Sequence, residues 1–312
     1  MYGYLLIIGS SIFLCIMSAL RKEFQKDTVL NVKTTLFFMG LSSMFVVLAG
    51  LIYCAFTRFE LVTNADFTVL SHGALFAIIL TVNTILCIFV TKYGSMAIST
   101  VFARLGTLVI SAVYGLIYDP VKNALSIWNI IGFVLVGIVI AISLFSVKGK
   151  SGENDGEDKR NVKIFALLCF IIFFTNGIAL PIYSHFTDVC PYYGEINFIF
   201  LYLFFCVIIC SVVLGAILIA RRNKDDVEEI KDCVKVKPLI CILGYGATFF
   251  FSEFLTIVCT QVLPIIIQAP LSFAVSIISV ALVDFIFFKQ KLTKAQIVQI
   301  ALSFIVGVMF AF

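Results

Sequence analysis

The sequence predicts an all-α integral membrane protein with ten transmembrane helices, arranged as two inverted five-helix repeats. Three observations support this prediction: the composition, the length of the apolar runs, and the placement of the basic residues. Of the 312 residues, 62% are hydrophobic and 13% are charged, whereas soluble domains are about half apolar and about a quarter charged. So little charge cannot cover a surface exposed to water, which excludes a soluble enzyme, a disordered chain and a nucleic-acid-binding protein.

Ten apolar runs are long enough to cross a bilayer, which requires about 20 mostly apolar residues. The first run has no basic residue ahead of it and no clear cleavage site, so we do not interpret it as a cleavable signal peptide. The runs are continuously apolar and do not alternate, which argues against a transmembrane β-barrel. They lie at 2–20, 34–57, 69–91, 95–118, 126–147, 164–184, 196–221, 238–260, 263–288 and 294–312.

A polar segment, SGENDGEDKR, lies almost at the middle of the chain. It divides the sequence into a first five-helix repeat at 1–147, a charged linker at 148–163 and a second five-helix repeat at 164–312. Because each half has an odd number of helices, a repeated half inserts in the opposite sense to its partner. This is the inverted-repeat plan of many secondary transporters, whose binding sites lie near the midplane between the repeats.

The repeat itself is weak. Leu125-Ser126 and Leu292-Thr293 occupy matching places after the fourth and ninth runs, followed three residues later by Asn129 and Gln296. Similarity at this level also arises by chance between apolar helices, so both explanations stay open.

The basic residues indicate the orientation. Nineteen of the 22 Lys and Arg residues fall in alternate loops, whereas the opposite loops hold Arg58 and Lys122 alone. The positive-inside rule places the basic loops in the cytoplasm and both termini outside. The sequence therefore predicts a multi-pass protein of the inner or plasma membrane.

The fourth run carries a polar stripe that contains an arginine. Its members are spaced by 4, 3, 4, 3 and 4 residues, so they share one helix face: Thr100, Arg104, Thr107, Ser111, Tyr114 and Tyr118. The ninth run has a similar stripe at Gln268, Ser272, Ser276 and Ser279. Such stripes line a hydrated cavity or pack helices together through small residues and hydroxyl groups.

Arg104 favours the cavity, because a guanidinium near mid-membrane almost always faces water or an opposite charge. Glu253, in the eighth run, is its clearest acidic counterpart and shares a face with Tyr245 and Phe249. Two interpretations are open. Arg104 and Glu253 form a structural pair, or Arg104 holds an anionic substrate group while Glu253 takes up a proton or a cationic group.

Asn83 and Asn176 are uncharged hydrogen-bonding residues at membrane depth, where they either orient a substrate or bond between helices. The sequence contains no HExxH, GxSxG, Walker or GxGxxG motif, so no catalytic residue is assigned and we expect no enzyme. Two His residues and no Cys/His cluster argue against a metal site. No cofactor is expected.

The segment PIIIQAPLSFAVSIISVALVDFIFFKQKLTKAQIVQIAL resembles the drug/metabolite transporter (DMT) superfamily, EamA type. It has a Pro-containing helix, an apolar stretch and a short turn at Phe288–Thr293, followed by Gln296. Gln290 stands where the family usually has Glu, and Arg104 lies close to where the family pattern often has Pro. The resemblance implies ten helices, alternating access, frequent proton coupling and a central cavity. It also implies cytoplasmic termini, opposite to the charge count.

From these observations we expect a secondary active transporter that moves a small polar metabolite, amino-acid-like or zwitterionic, or a drug. Its partners would be this substrate, the lipid bilayer and a coupling proton, and it would act as a monomer or homodimer. A membrane-embedded enzyme, a lipid scramblase and an accessory subunit are the alternatives. The predicted substrate-binding residues are Arg104, Glu253, Asn83, Asn176, Gln268, Tyr245, Phe249, Tyr114 and Ser272.

Overall fold

The fold is known from a computed structural model. It describes residues 2–29, 31–56, 65–93, 96–118, 126–148, 156–221, 224–265, 267–269, 271–273, 275–276 and 294–311. Within these ranges every regular element is a helix. The helices are α1 Tyr2–Asp27, α2 Val32–Phe56, α3 Phe67–Tyr93, α4 Met96–Tyr118, α5 Ile127–Lys148, α6 Gly156–Val189, α7 Glu195–Arg221, α8 Lys224–Cys233, α9 Val236–Val262 and α10 Lys294–Ala311.

Seven of the described helices are long and apolar enough to cross a membrane: α1, α2, α3, α4, α6, α7 and α9. In lipid a helix satisfies its backbone hydrogen bonds internally, so apolar runs of this length fold as helices. The chain therefore has the character of a multi-pass helical membrane protein. The finer prediction of ten helices in an inverted repeat is not established, because α8 is a short polar helix and most of the ninth run lies outside the described residues.

Two helix boundaries differ from the sequence prediction. Helix α1 continues to Asp27, seven residues past the predicted end of the first run, so Arg21 lies inside a helix. Helix α6 begins at Gly156, within the predicted linker, and continues through Pro181 to Val189. The helix tolerates Pro181 because neighbouring groups in a membrane helix can satisfy the carbonyl that proline frees.

The described chain forms two compact units, and each draws on both sequence halves. Unit 1 comprises Met1–Ser11, Phe89–Ser184 and Cys259–Phe312, and unit 2 comprises Ile12–Ile88 and His185–Val258.

Unit 1 is built around α4, α5 and α10. Its apolar core contains Leu105, Leu108 and Phe273, none of them more than 1% exposed. Where α4 crosses α6, Gly106 lies directly against the backbone carbonyl of Phe173, and a Cβ atom at this position would overlap with it. The Thr107 hydroxyl donates to the backbone carbonyl of Asn176 at 3.4 Å. At this crossing two backbones are in contact.

Unit 2 is dominated by the packing of α2 along α7. Aromatic side chains fill much of the unit, including Phe186 and Phe198, whose stacked rings are 3.8 Å apart. A second cluster joins Phe24 of α1 to Phe38 of α2, with ring centres 4.6 Å apart. Phe38 in turn meets Tyr245 of α9 edge to face at 4.7 Å. These contacts place α1, α2 and α9 around one another.

Polar groups fix the ends of two unit 2 helices. The Asp66 carboxylate caps α3 by accepting a hydrogen bond from the Val69 backbone at 2.8 Å, and it also accepts the Tyr192 hydroxyl at 2.5 Å. At the end of α1, Lys237 reaches both Glu23, at 2.9 Å, and Asp27, at 2.8 Å. Lys237 thereby ties the end of α1 to the beginning of α9.

Candidate functional site

A cavity of about 290 Å³ lies within unit 2. Four helices, α2, α3, α7 and α9, contribute its walls. The lining combines hydroxyl groups with apolar and aromatic side chains: Met39, Ser42, Ser43, Val46, Leu80, Thr84, Leu203, Tyr245, Gly246 and Phe249. Such a mixture is typical of small-molecule sites, where a few polar groups orient a ligand against apolar walls.

One wall is aromatic. Tyr245 and Phe249 follow each other at i and i+4 on α9, and their rings stack with centres 6.2 Å apart. Next to them Gly246 lets α9 approach α2 closely, since a Cβ atom at this glycine would lie 2.7 Å from the Ser42 carbonyl oxygen. The close contact fixes the register of the aromatic wall against the serines of α2.

Ionisable side chains surround the Tyr245 hydroxyl. It lies within electrostatic range of Arg21 on α1, Cys87 on α3 and Glu253 on α9. A cation and a carboxylate on apolar helices therefore both act on this phenol. Charges at such positions are costly in lipid and mark ligand or ion pathways.

Arg21 is the less expected of the two charged residues. Its Nε and Nη2 atoms are buried, and neither has a hydrogen-bond partner among the described residues. The amide nitrogen Nε2 of Gln25, one helical turn further along α1, is also buried without a hydrogen-bond partner among the described residues. An unsatisfied buried donor costs about 1–3 kcal/mol, and a charged one costs more. The end of α1 therefore holds donors that lack an acceptor.

The acidic residues near Arg21 are engaged with lysines instead. Glu23 binds Lys26 at 2.7 Å and Lys237 at 2.9 Å. Asp27 binds Lys237 at 2.8 Å. The carboxylates on the end of α1 thus neutralise lysine ammonium groups and leave the buried edge of the Arg21 guanidinium without an acceptor.

Four of the sequence-predicted residues lie in unit 2. Tyr245 and Phe249 line the cavity, and Glu253 acts on the Tyr245 hydroxyl. Asn83 accepts a hydrogen bond from the Cys87 thiol, with the sulfur 3.7 Å from Oδ1. Because Cys87 is also near Tyr245, Asn83 belongs to the same neighbourhood.

The other five predicted residues lie in unit 1. Tyr114 stacks on Tyr118 with ring centres 5.2 Å apart, and the Asn176 amide donates to the Ile172 carbonyl of its own helix at 3.2 Å. The backbone carbonyl of Ser272 accepts a hydrogen bond from the Ser276 hydroxyl. Gln268 is buried, with 1% of its surface exposed. Arg104 interacts with at least one other group of the protein. Their roles in substrate binding stay predictions.

Several other predicted positions lie outside the described residues, including the turn at Phe288–Thr293 that carries much of the family resemblance. The side chains of Thr100 and Asn129 are likewise outside the description.

Sequence reasoning missed Arg21 and Gln25. Arg21 was counted with the basic residues of the first loop, because it directly follows an apolar run. One available signal was the spacing of four residues between Arg21 and Gln25, which places two long donor side chains on one face if the helix continues.

Comparison with known proteins shows the fold alone. No family model matches the chain, and no curated protein matches it. One solved crystal structure is similar over 99% of this chain and 96% of its own, with a TM-score of 0.61 and 11% sequence identity. The chain thus shares its fold with a protein of known structure.

Proposed function

We propose that this protein is a secondary active transporter of the DMT superfamily, EamA type. It moves a small polar metabolite, amino-acid-like or zwitterionic, or a drug across the membrane by alternating access, coupled to protons. The single observation that carries the proposal is the cavity of unit 2, whose lining residue Tyr245 is within electrostatic range of both Arg21 and Glu253 on apolar helices. The family resemblance of the segment at 264–302 supports the same function.

The size of the cavity favours a small substrate. The space between the lining residues amounts to about 290 Å³ even when its opening to solvent is included, so a large ligand would not fit. Tyr245 and Phe249 offer an aromatic face, on which a cationic or planar group packs favourably. The Ser43 hydroxyl is suited to a hydrogen bond with a polar substituent, and the Thr84 oxygen can accept one while its hydroxyl donates to the Leu80 carbonyl at 2.8 Å.

Glu253 is the residue we assign to coupling. A carboxylate on an apolar helix either pairs with a cation or takes up a proton, since an isolated charge there is costly. In the proposed cycle Glu253 releases its proton or cationic group on one side of the membrane and is reloaded on the other. Asn83, in unit 2, is assigned to binding at this cavity, and the roles of Arg104, Asn176 and Gln268 in unit 1 stay predictions.

Transport by the purified protein tests the proposal. Thermal-shift screening of a metabolite panel containing amino acids, betaines and organic acids would identify stabilising compounds. The best radiolabelled hit is then offered to proteoliposomes with and without an imposed pH gradient. We expect accumulation that depends on the gradient, and loss of this dependence in Glu253→Gln. Glu195→Gln, at the start of α7, is the matched control and should behave like the wild type.

A cavity-filling variant links transport to the site. Ser43→Leu adds bulk at a position that lines the cavity and is 4% exposed, so it should abolish uptake while the protein remains folded. Ser71→Leu places the same side chain on the exposed surface of α3 and should transport normally.

Two results would overturn the proposal. One is the absence of gradient-driven accumulation for every stabilising compound. The other is movement of fluorescent phospholipid between leaflets of the same vesicles without any gradient, together with no metabolite uptake, which would favour a lipid scramblase.

A further inference from the structure

We propose that Arg21 and Gln25 form a binding site for an oxyanion, namely a carboxylate or phosphate group. That the oxyanion belongs to the transported metabolite is a step that rests on the proposed function. The site differs from the Arg104 position that the sequence favours, because it lies on α1 in unit 2, beside the aromatic wall of the cavity.

The unpartnered atoms have the geometry that an oxyanion needs. Nε and Nη2 form one edge of the guanidinium plane, and both are buried without a partner among the described residues. Two parallel N–H groups on such an edge match the two oxygens of a carboxylate or phosphate. A lone water molecule cannot accept both bonds with the same geometry.

Gln25 adds a third donor on the same face. Residues four apart on a helix are neighbours, and the Gln25 amide nitrogen is also buried without a partner. The amide NH₂ group and the guanidinium only donate hydrogen bonds, and neither carries a negative charge. The group that satisfies them must therefore be an acceptor, and the charge of Arg21 favours an anionic one.

None of the described residues accepts a hydrogen bond from the buried Arg21 and Gln25 nitrogens, and the acidic side chains at the end of α1 are bound to lysines. Glu23 and Asp27 bind Lys26 and Lys237. Glu229, near the start of α2, binds Lys33 at 3.0 Å and the Asn31 amide at 2.6 Å.

The site adjoins the cavity. Leu20, next to Arg21, packs on Gly244 of α9, where a Cβ atom would be 3.0 Å from Leu20 Cδ1. Gly244 directly precedes Tyr245, which lines the cavity and lies in the field of Arg21. An oxyanion held by Arg21 would thus sit at one end of the aromatic wall, with Glu253 further along the same helix.

Equilibrium binding to the full-length protein tests the inference without any gradient. The probes are inorganic phosphate and succinate, titrated at constant ionic strength in phospholipid-free detergent and followed by thermal stability. We expect both or either to stabilise the wild type. Arg21→Met should weaken binding by at least about tenfold, the loss expected for a charged hydrogen-bonded contact.

Lys22→Met is the matched control. It removes the same charge from the adjacent residue, so it lowers the general attraction for anions equally but leaves the donor edge of Arg21 intact. We expect its affinity to stay within about twofold of the wild type, since a single surface charge is largely screened by salt. Equal losses in Arg21→Met and Lys22→Met would overturn the inference, as would a wild type that neither probe stabilises.

Two further variants keep the test valid if Arg21→Met does not fold. Arg21→Lys retains the charge and lacks the fork of donors, and Gln25→Leu removes the third donor. Both should bind the probe more weakly than the wild type, and undiminished binding in both would overturn the inference.

The source of the oxyanion is decided by a second arm. Native mass spectrometry compares the wild type and Arg21→Met with phosphatidylglycerol and with phosphatidylcholine. Arg21-dependent retention of phosphatidylglycerol without any response to phosphate or succinate would overturn the assignment to a metabolite. The proposed function fails separately: a protein that binds phosphate through Arg21 but accumulates no metabolite refutes transport and keeps the oxyanion site.

Discussion

Arg21 and Arg104 both lie on long apolar helices, yet their surroundings differ. Arg104, on α4 of unit 1, takes part in an interaction with other groups, close to the place where α4 and α6 touch backbone to backbone. Arg21, on α1 of unit 2, has two buried donor atoms with no partner among the described residues, beside a cavity. The depth of an arginine along a helix is therefore a weaker indicator of a ligand site than the hydrogen-bonding state of its guanidinium.

The same contrast extends to the helices around each arginine. In unit 1 the crossing of α4 and α6 leaves no room for a side chain at Gly106. In unit 2 the helices around Tyr245 leave a small pocket that is partly open to solvent. Close packing serves stability, whereas unfilled space lined by polar groups has a stability cost that a ligand can offset.

The largest effect is expected at the packed crossing. Gly106→Ala places a methyl group against the Phe173 carbonyl, and overpacking of this kind typically costs about 1–3 kcal/mol, occasionally more. We expect a loss near or above the upper value, seen as a marked drop in melting temperature in detergent. Gly137→Ala is the control, because in the described part of the chain no atom beyond the local helix backbone lies within 4 Å of its Cβ position. Equal melting temperatures for the two variants would contradict the description of unit 1 as closely packed.

The next largest effect is a change in stability that we expect to have opposite signs when Arg21 and Arg104 are replaced. Replacing Arg21 by Met removes unsatisfied donors, so the ligand-free protein should gain about 1–3 kcal/mol of stability. Replacing Arg104 by Met leaves the groups that it interacts with without their partner. The protein should therefore lose stability by a similar amount. Melting temperatures of both variants without added anions measure the difference. If both variants shifted in the same direction, the contrast between the two arginines would not hold.

The smallest effect is expected at the exposed cap of α3. The hydrogen bonds from Tyr192 and from the Val69 backbone lower the pKa of Asp66 below its ordinary value of 3.8, and the bond to Asp66 raises the pKa of Tyr192. The ionised carboxylate therefore contributes its stability in full above pH 3.8, and this contribution is lost as the pH falls through the lowered pKa. Asp66→Asn should melt slightly earlier than the wild type at pH 7.

The difference between Asp66→Asn and the wild type should disappear at pH values below the lowered pKa, where both side chains are uncharged. Melting curves recorded across pH 2 to 7 check this expectation. Tyr192→Phe, which removes the donor and keeps the carboxylate, should show a smaller version of the same loss. A difference that stays constant down to the lowest pH would refute the role given to the ionised cap.

The helices were predictable because an apolar run in lipid has few alternatives to helical structure. The end of α1 was not, since Arg21 and Lys22 look like the start of a loop. The helix continues because Glu23 pairs with Lys26 three residues later and because Lys237, more than 200 positions away, binds Glu23 and Asp27. Long-range pairs of this kind leave no local pattern.

The candidate site was predictable in part. The spacing of Tyr245, Phe249 and Glu253 along one helix face indicated a shared surface, and the structure places the two aromatic residues in one cavity wall. The cavity itself depends on how α2, α3, α7 and α9 fit together, and a single sequence does not specify that fit. For the same reason the unpartnered state of Arg21 became visible only with the surrounding helices in place.

The attachment of Lys237 to the end of α1 has a consequence for motion. Two carboxylates of α1 hold one ammonium group of α9, and Leu20 lies against Gly244 a few residues further in. Helices α1 and α9 are therefore held together at this end by two kinds of contact, the ion pairs of Lys237 and the packing of Leu20 on Gly244. The distance from Arg21 to Tyr245 is set by these joints, so α1 and α9 at this end would move as one piece, and a hinge would have to lie elsewhere along them.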